Sequence, residues 1–309
     1  MPCFLVPLHE SNDCHNPGGS PAGGEFCSDT GSGGGRAAEI EARMRAGANL
    51  TPHEREHAPA LAKAEAEIEA LLAAGGDTLT RHFVNGEWTA ERRALHAQIL
   101  ERYFREAGDL PTGLAEPTAI ILAGLPGAGK STATKKWLDT SQAIVAEADK
   151  LKALLPEYTG SNAPIVQRES SYLANLVVEI AMRRRMNVVV DGTMRELGTE
   201  DAGVLDGAFG KLVALHEAGF RTEVVLVDVT TNQSIQRVIE RFLRDGRYVP
   251  PSAIRKSVTA DGTPTPTATF DIVKDARRRG VHLVDAWSHY DGWTGTRKGG
   301  RGQHRLTKS

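Results

Sequence analysis

The sequence is short of cysteine, of net charge and of long apolar runs, and each shortage closes off a class of protein. Its 309 residues contain three cysteines, Cys3, Cys14 and Cys27, all within the first thirty positions. So sparse and odd a set is not the framework of a disulfide-stapled secreted domain, and it predicts a reducing, cytoplasmic setting. Cys14-His15 and Cys27 lack the paired C-x-x-C spacing of a zinc motif, so no metal is expected there. Lys and Arg total 37 against 39 Asp and Glu, a net charge of −2. That balance gives no global electrostatic case for nucleic acid or an anionic membrane as partner. Apolar runs such as Ala119–Ala123 and Val224–Val227 fall far short of the roughly 20 residues a bilayer-spanning helix needs. Met1–Glu10 has no Lys or Arg ahead of its apolar Phe4–Val6, and no signal peptide is expected. What is present is a globular composition, 40% apolar and 25% charged, long enough for two domains or one large α/β unit.

Residues 1–36 are rich in Gly, Ser and Pro and end in Gly31-Ser32-Gly33-Gly34-Gly35. Such a segment buries too little apolar surface to offset its backbone entropy and is expected to be disordered. From Ala37 to Ala74 the text turns to Ala, Glu, Arg and Leu, with Ile40, Met44, Leu61, Ile68, Leu71 and Leu72 at helical spacings. Thr51-Pro52 reads as an N-cap and first-turn proline, and Gly47 and Gly75-Gly76 as breaks. Two helices with a narrow apolar stripe are expected, followed by a third capped by Thr89, with Leu95, Ile99, Leu100, Tyr103 and Phe104 on one face. Together they make residues 37–116 a helical N-terminal extension.

After Pro117 short apolar runs alternate with helical stretches. Strands are expected at Ala119–Ala123, Ala143–Ala146, Asn187–Val190, Glu223–Val229 and Val281–Val284. Helices are expected at Lys130–Leu138, Asp149–Leu155, Ser170–Arg185, Ala208–Ala218 and Gln233–Arg244. This order predicts an α/β fold over residues 117–290, a three-layer arrangement of parallel strands joined by right-handed helical crossovers. Residues 291–309, with Arg297, Lys298, Arg301, Arg305 and Lys308 among glycines, read as a flexible basic tail.

Gly124-Leu125-Pro126-Gly127-Ala128-Gly129-Lys130-Ser131 fits the G-x-x-x-x-G-K-[ST] pattern, directly after an apolar strand and before a helix. The glycines let backbone N–H groups turn inward on a phosphate, and the helix beginning near Gly129 adds its positive end. Lys130 carries charge to the β- and γ-phosphates, and Ser131 offers a hydroxyl to Mg²⁺. Gly124, Pro126, Gly127, Ala128, Gly129, Lys130, Ser131 and Thr132 are therefore the expected ATP-binding residues, with Ser131 as metal ligand. No N-K-x-D guanine reader is present, nor a strand closed by D-E or D-D as in motor ATPases. Val188-Val189-Val190-Asp191-Gly192-Thr193 is closer to the floor of a small-molecule kinase.

From Thr89 to Asp291 the chain resembles the zeta toxin family, P-loop kinases of toxin–antitoxin systems. The likeness is carried by Trp88-Thr89-Ala90-Glu91-Arg92-Arg93-Ala94-Leu95-His96, by Glu147-Ala148-Asp149-Lys150-Leu151-Lys152 with Leu155-Pro156-Glu157-Tyr158, and by Ile239 through Pro250. The resemblance implies that Asp149, after the second strand, takes the proton of the acceptor hydroxyl; its other reading is the N-cap of the helix that follows. It implies that Asp191, Thr193 and Arg195 bind the acceptor, although the family often has Glu where Asp191 stands. The family's substrate-binding Glu in the long helix falls at Asn175, which moves that contact to Glu169 or Glu179. Arg241 and Arg247 in the lid-like segment are implied to clamp the transferred phosphate, against a solvated basic face formed by Arg237, Arg241 and Arg244.

These readings converge on an ATP- and Mg²⁺-dependent kinase acting on a small-molecule hydroxyl. The resemblance implies a UDP-N-acetylsugar as acceptor and an antitoxin protein as partner. Other small acceptors (an antibiotic, a nucleotide, a dinucleotide) and a non-catalytic ATP-binding interaction module are the alternatives.

Overall fold

The computed structural model describes residues 33–46, 50–194, 207–278, 281–302 and 304–306. The chain opens with α1 (Gly33–Ala46), α2 (Pro52–Glu56), α3 (Ala58–Gly75) and α4 (Thr78–His82), then a hairpin of β1 (Phe83–Val84) and β2 (Glu87–Trp88), then α5 (Ala90–Ala107). Local chemistry sets these starts. Thr51 and Glu54 form a reciprocal capping box on α2, and the side chains of Asp77 and Thr89 cap α4 and α5. Helix α1 begins at Gly33, inside the segment expected to be disordered; Cys3, Cys14 and Cys27 lie outside the described residues.

The body follows as β3 (Thr118–Ala123), α6 (Lys130–Trp137), β4 (Ala143–Glu147), α7 (Ala148–Lys152), α8 (Ala163–Arg184), β5 (Asn187–Asp191), α9 (Gly207–Glu217), β6 (Arg221–Asp228), α10 (Thr231–Asp245), α11 (Pro251–Arg255), α12 (Thr265–Arg278), β7 (Ala286–Asp291) and β8 (Arg297–Arg301). The six strands line up as β4-β5-β3-β6-β7-β8. The first five are mutually parallel, as expected, and β8 runs antiparallel to β7. The loop-bearing β3 is thus central, and the sheet is a mixed one rather than all parallel.

Side chains alternate across this sheet with period two and build two cores. Ile121, Ile144, Val188, Val190, Val224 and Leu226 face Ile99 of α5, Leu173 and Val177 of α8, Leu212 and Leu215 of α9, and Phe270 and Val273 of α12. Ile120, Leu122, Val189, Val225 and Val227 face Leu61, Ala64 and Ile68 of α3, Ala133 of α6, and Ile235, Val238 and Ile239 of α10. The three-layer expectation holds. The extension, however, is not an appendage, since α3 and α5 supply one helix to each face. Leu71 and Leu72 of the expected stripe remain exposed.

Two further expectations change. The last parallel strand is Ala286–Asp291, not Val281–Val284. Residues 297–302 and 304–306 are not a free basic tail: β8 pairs with β7, and Leu306 and His304 are buried. Gly299 lies against the Trp287 ring, and a Cβ there would stand 3.7 Å from it, an ordinary van der Waals contact. Among the described residues no helix is long and apolar enough to cross a membrane.

Candidate active site

The phosphate loop leaves the carboxyl end of β3, whose six residues are all buried. Gly124, Gly127 and Gly129 have φ of 147°, 72° and 97°, a region side chains rarely adopt. A Cβ on Gly124 would also stand 2.4 Å from the Val227 carbonyl oxygen. Helix α10 holds the loop from outside: Ser234 donates to the Pro126 carbonyl at 2.7 Å, and Arg237 donates to the carbonyls of Gly127 and Ala128 at 3.2 Å each. Lys130 Nζ bends over the loop and donates to the carbonyls of Gly124 at 2.9 Å and Leu125 at 3.2 Å. Burial pushes its ammonium below the ordinary lysine value; Asp191 opposes the shift, and Arg241 and Arg247 add to it. Ser131 and Thr132 are exposed on the first turn of α6.

The parallel register brings Glu147 beside Asp191 and Asp191 beside Leu122 at one edge of the sheet. Asp149 follows β4, so it lies two strands from the phosphate loop, with β5 between. At roughly 4.8 Å per strand that spacing is roughly 10 Å. Asp149 is not the helix cap, because α7 has Glu147 at that position and Asp149 sits in the first turn. Its carboxylate forms an ion pair with Arg247 and another with Lys152 at 3.2 Å. Lys152 is buried, also donates to Gln167 at 2.7 Å, and is pulled down to about 8 by burial and by Arg241. Burial raises the Asp191 carboxyl above the ordinary range, and Lys130 opposes it.

Of the candidate lid arginines, Arg247 reaches the Asp149 carboxylate, while Arg241 is half-buried with its Nε lacking a hydrogen-bond partner. Burial lowers both guanidinium values. Arg237 grips the loop and lies 4.8 Å from the Trp293 ring centroid, whereas Arg244 is exposed beside Asp245. The arginine row is therefore split between site and solvent. Thr193 accepts from the Gly124 N–H through its backbone carbonyl at 3.4 Å, and Met194, which follows, has φ of 48°. Arg195 lies outside the described residues. Of the two alternatives for a substrate-binding Glu, Glu169 is fully buried against Arg92 and His96, and Glu179 pairs with Arg183 on its own helix. Lys152 is the site residue that sequence reasoning missed. Its signal was its place three residues after Asp149, where one helical turn returns a side chain to the same face.

A zeta toxin family profile matches residues 101–279. Several solved structures are similar at low identity. The PezAT chromosomal toxin–antitoxin system of Streptococcus pneumoniae is 14% identical, covers 69% of this chain and 81% of its own, and superposes with a TM-score of 0.47. The AvrRxo1-ORF1:AvrRxo1-ORF2 complex with sulphate ions is 18% identical over 67% of this chain and 65% of its own, TM-score 0.48. The AvrRxo1-ORF1:-ORF2 structure with ATP is 16% identical over 79% and 69%, TM-score 0.48. No curated protein matches significantly in sequence.

Proposed function

Because the chain belongs to the zeta toxin family, we propose that it transfers the γ-phosphoryl group of ATP to a hydroxyl of a small molecule, with a UDP-N-acetylsugar as the first acceptor to test. The observation that carries this reading is the phosphate loop at the carboxyl end of β3 together with a carboxylate, Asp149, that follows β4 and is paired with Arg247. In an open α/β sheet ligands bind at the carboxyl ends of the strands, and here the phosphate loop follows β3, Asp149 follows β4 and Asp191 ends β5 at that edge. Asp149 takes the acceptor proton as its oxygen attacks the γ-phosphorus. Lys130, Arg241 and Arg247 meet the charge spread over the transferred group, and ADP leaves.

The Asp149–Arg247 pair keeps a proton acceptor and a cation side by side, as the proposed transfer to a hydroxyl requires. Ser131 would offer its hydroxyl to a hard cation that takes oxygen ligands, and Mg²⁺ fits that donor. Such an ion neutralises charge on the β- and γ-phosphates. An antitoxin partner follows from the family alone and is part of the same proposal.

Incubating the protein with ATP·Mg²⁺ and a panel of UDP-sugars and nucleotides, then reading products by mass spectrometry, tests the proposal. The expected product is a UDP-N-acetylsugar heavier by one phosphoryl group. A different phosphorylated acceptor would replace the sugar but keep the kinase. Tight ATP binding with no acceptor-dependent ADP would leave the interaction module.

A further inference from the structure

Outside the phosphate site, the described residues contain one group of three side chains of metal-ligating type with convergent donor atoms: His53, Glu56 and His57. They lie on α2 and the residue that ends it, at i, i+3 and i+4, a spacing that places all three on one helical face. Glu56 Oε2 is 3.9 Å from His53 Nδ1 and 3.9 Å from His57 Nε2, and the three donor atoms all lie within 4.8 Å of one another. The two imidazoles meet edge to face with centroids 5.0 Å apart. Around a tetrahedral ion with bonds of about 2.0–2.1 Å, neighbouring ligand atoms sit about 3.4 Å apart. Side-chain rotation through roughly an ångström closes that difference.

The scaffold under these groups is fixed. Glu54, on the inner face of the same helix, is buried, takes part in the capping box with Thr51 and pairs with Arg255 of α11. The far nitrogen of His53, Nε2, lies 3.9 Å from Glu240 Oε1 of α10, just beyond hydrogen-bond distance, and Gln236 donates to that same oxygen at 2.9 Å. A small side-chain rotation would bring this carboxylate within hydrogen-bond reach, the arrangement that fixes the tautomer of a ligating imidazole.

We infer that His53, Glu56 and His57 form a transition-metal site, best suited to Zn²⁺, which fastens α2 to α10 with Glu240 as the supporting carboxylate behind His53. Two imidazoles and a carboxylate are borderline ligands of the kind Zn²⁺ takes in three-residue sites, the fourth position going to water. Glu240 immediately precedes Arg241, so the ion would stiffen the helix that carries one of the lid arginines. The inference does not depend on which reaction that lid serves.

The test titrates the metal-stripped full-length protein with Zn²⁺ against a competing chelator, and repeats it with Co²⁺, read by its visible absorption. One ion per chain is expected. Affinity should fall at least tenfold in His53→Ala and in His57→Ala, and roughly 10–100-fold in Glu240→Gln. His57 makes no side-chain capping bond, so its replacement does not remove a helix cap, and thermal melts of the metal-free variants check that they are folded. Affinity should be unchanged in Cys3→Ser/Cys14→Ser/Cys27→Ser. Absence of stoichiometric binding, binding unaltered in the His53→Ala/His57→Ala double variant, or binding lost with the cysteines would each overturn the assignment.

Discussion

At the scale of single residues, the proposed reaction assigns the chemistry to Lys130 and Asp149 and its pH range to Lys152. Lys130→Ala removes the charge that follows the γ-phosphate into the transition state and should abolish acceptor-dependent ADP formation. Asp149→Asn keeps shape but cannot take a proton, so ATP binding should persist while turnover falls roughly 10²–10⁴-fold. Near-normal turnover by the Asn variant would remove Asp149 from the reaction. Lys152, held at about 8 by burial, loses its proton well inside the accessible range. Turnover should therefore decline above about pH 8 as Asp149 loses one of its two cationic partners. The stability change has the opposite sign. The unfolded chain keeps this proton up to its ordinary value of 10.5, so the group's contribution to stability rises as pH climbs from about 8 to 10.5. A rate that falls without loss of fold, with the limb shifted upward in Lys152→Arg, is the expected pattern; a limb unmoved by that substitution would place the titration elsewhere. Residue type alone does not settle roles. Ser288, His304 and Glu223 are linked like a nucleophilic triad, at 2.6 and 2.8 Å, but all three are buried, and the chain pins the C-terminal segment to β6 and β7. The phosphate loop was legible in the sequence because its glycines, lysine and serine act on one another over eight residues. The partners of Lys152 and Arg92 were less so, since Gln167 and Glu169 stand 15 and 77 residues away and only the fold brings them together.

At the scale of elements, the least visible join is between α5 and α8. Arg92 donates to Glu169 through Nη2 at 2.7 Å, with a second short bond from Nε, and to Glu157 through Nη1 and Nη2 at 2.7 and 2.9 Å. His96 lies 2.6 Å from the same Glu169. Glu157 follows α7, so one guanidinium ties the extension both to the long helix and to the segment beyond Asp149. Burial alone would raise the Glu169 carboxyl, but hydrogen bonds from His96 and Arg92 hold it at about 2. Its stabilising share is complete above about pH 4.5 and is lost as pH falls toward 2. Arg92→Met strands a buried carboxylate and should destabilise by about 3–5 kcal/mol, a fall in Tm of roughly 10 °C. Arg92→Met/Glu169→Leu should recover part of that loss, because the uncompensated charge goes with the partner. Equal loss in both variants would assign the effect to packing rather than charge. Other elements escaped the sequence for reasons of composition. Helix α12 opens Thr265-Pro266-Thr267, poor helix formers, and Phe270 and Val273 give it a single turn of buried spacing. Strand β8 contains Gly299-Gly300, whose weak strand propensity hides it from a sequence reading.

At the scale of the molecule, the question is whether the N-terminal helices regulate the site or belong to its support. Their apolar stripe is thin, and an arm tethered through Gly75-Gly76 could reach a nucleotide groove at high effective concentration. The packing favours support. Leu61 and Ile68 of α3 are buried in the same cluster as Ile120 and Leu122 of β3, the strand that launches the phosphate loop. Each such side chain contributes about 1.5–3 kcal/mol relative to exposure. Helix α3 also reaches the lid directly, since Tyr248 donates to Glu65 at 2.7 Å, and Tyr248 follows Arg247, the partner of Asp149. Deleting residues 1–76 would strip this cover from one face of the sheet and free the segment that aims Arg247. Aggregation or a large loss of thermal stability is therefore expected, with turnover reduced in whatever stays soluble. Deleting residues 1–32 leaves every contact named here in place and serves as the control. Tyr248→Phe separates the two roles of α3, because it keeps the ring in the core and removes only the bond to Glu65. If α3 positions the lid, this variant should melt within a few degrees of the parent yet turn over more slowly at saturating ATP. A soluble, more active 77–309 fragment would instead make the arm an inhibitor held in cis.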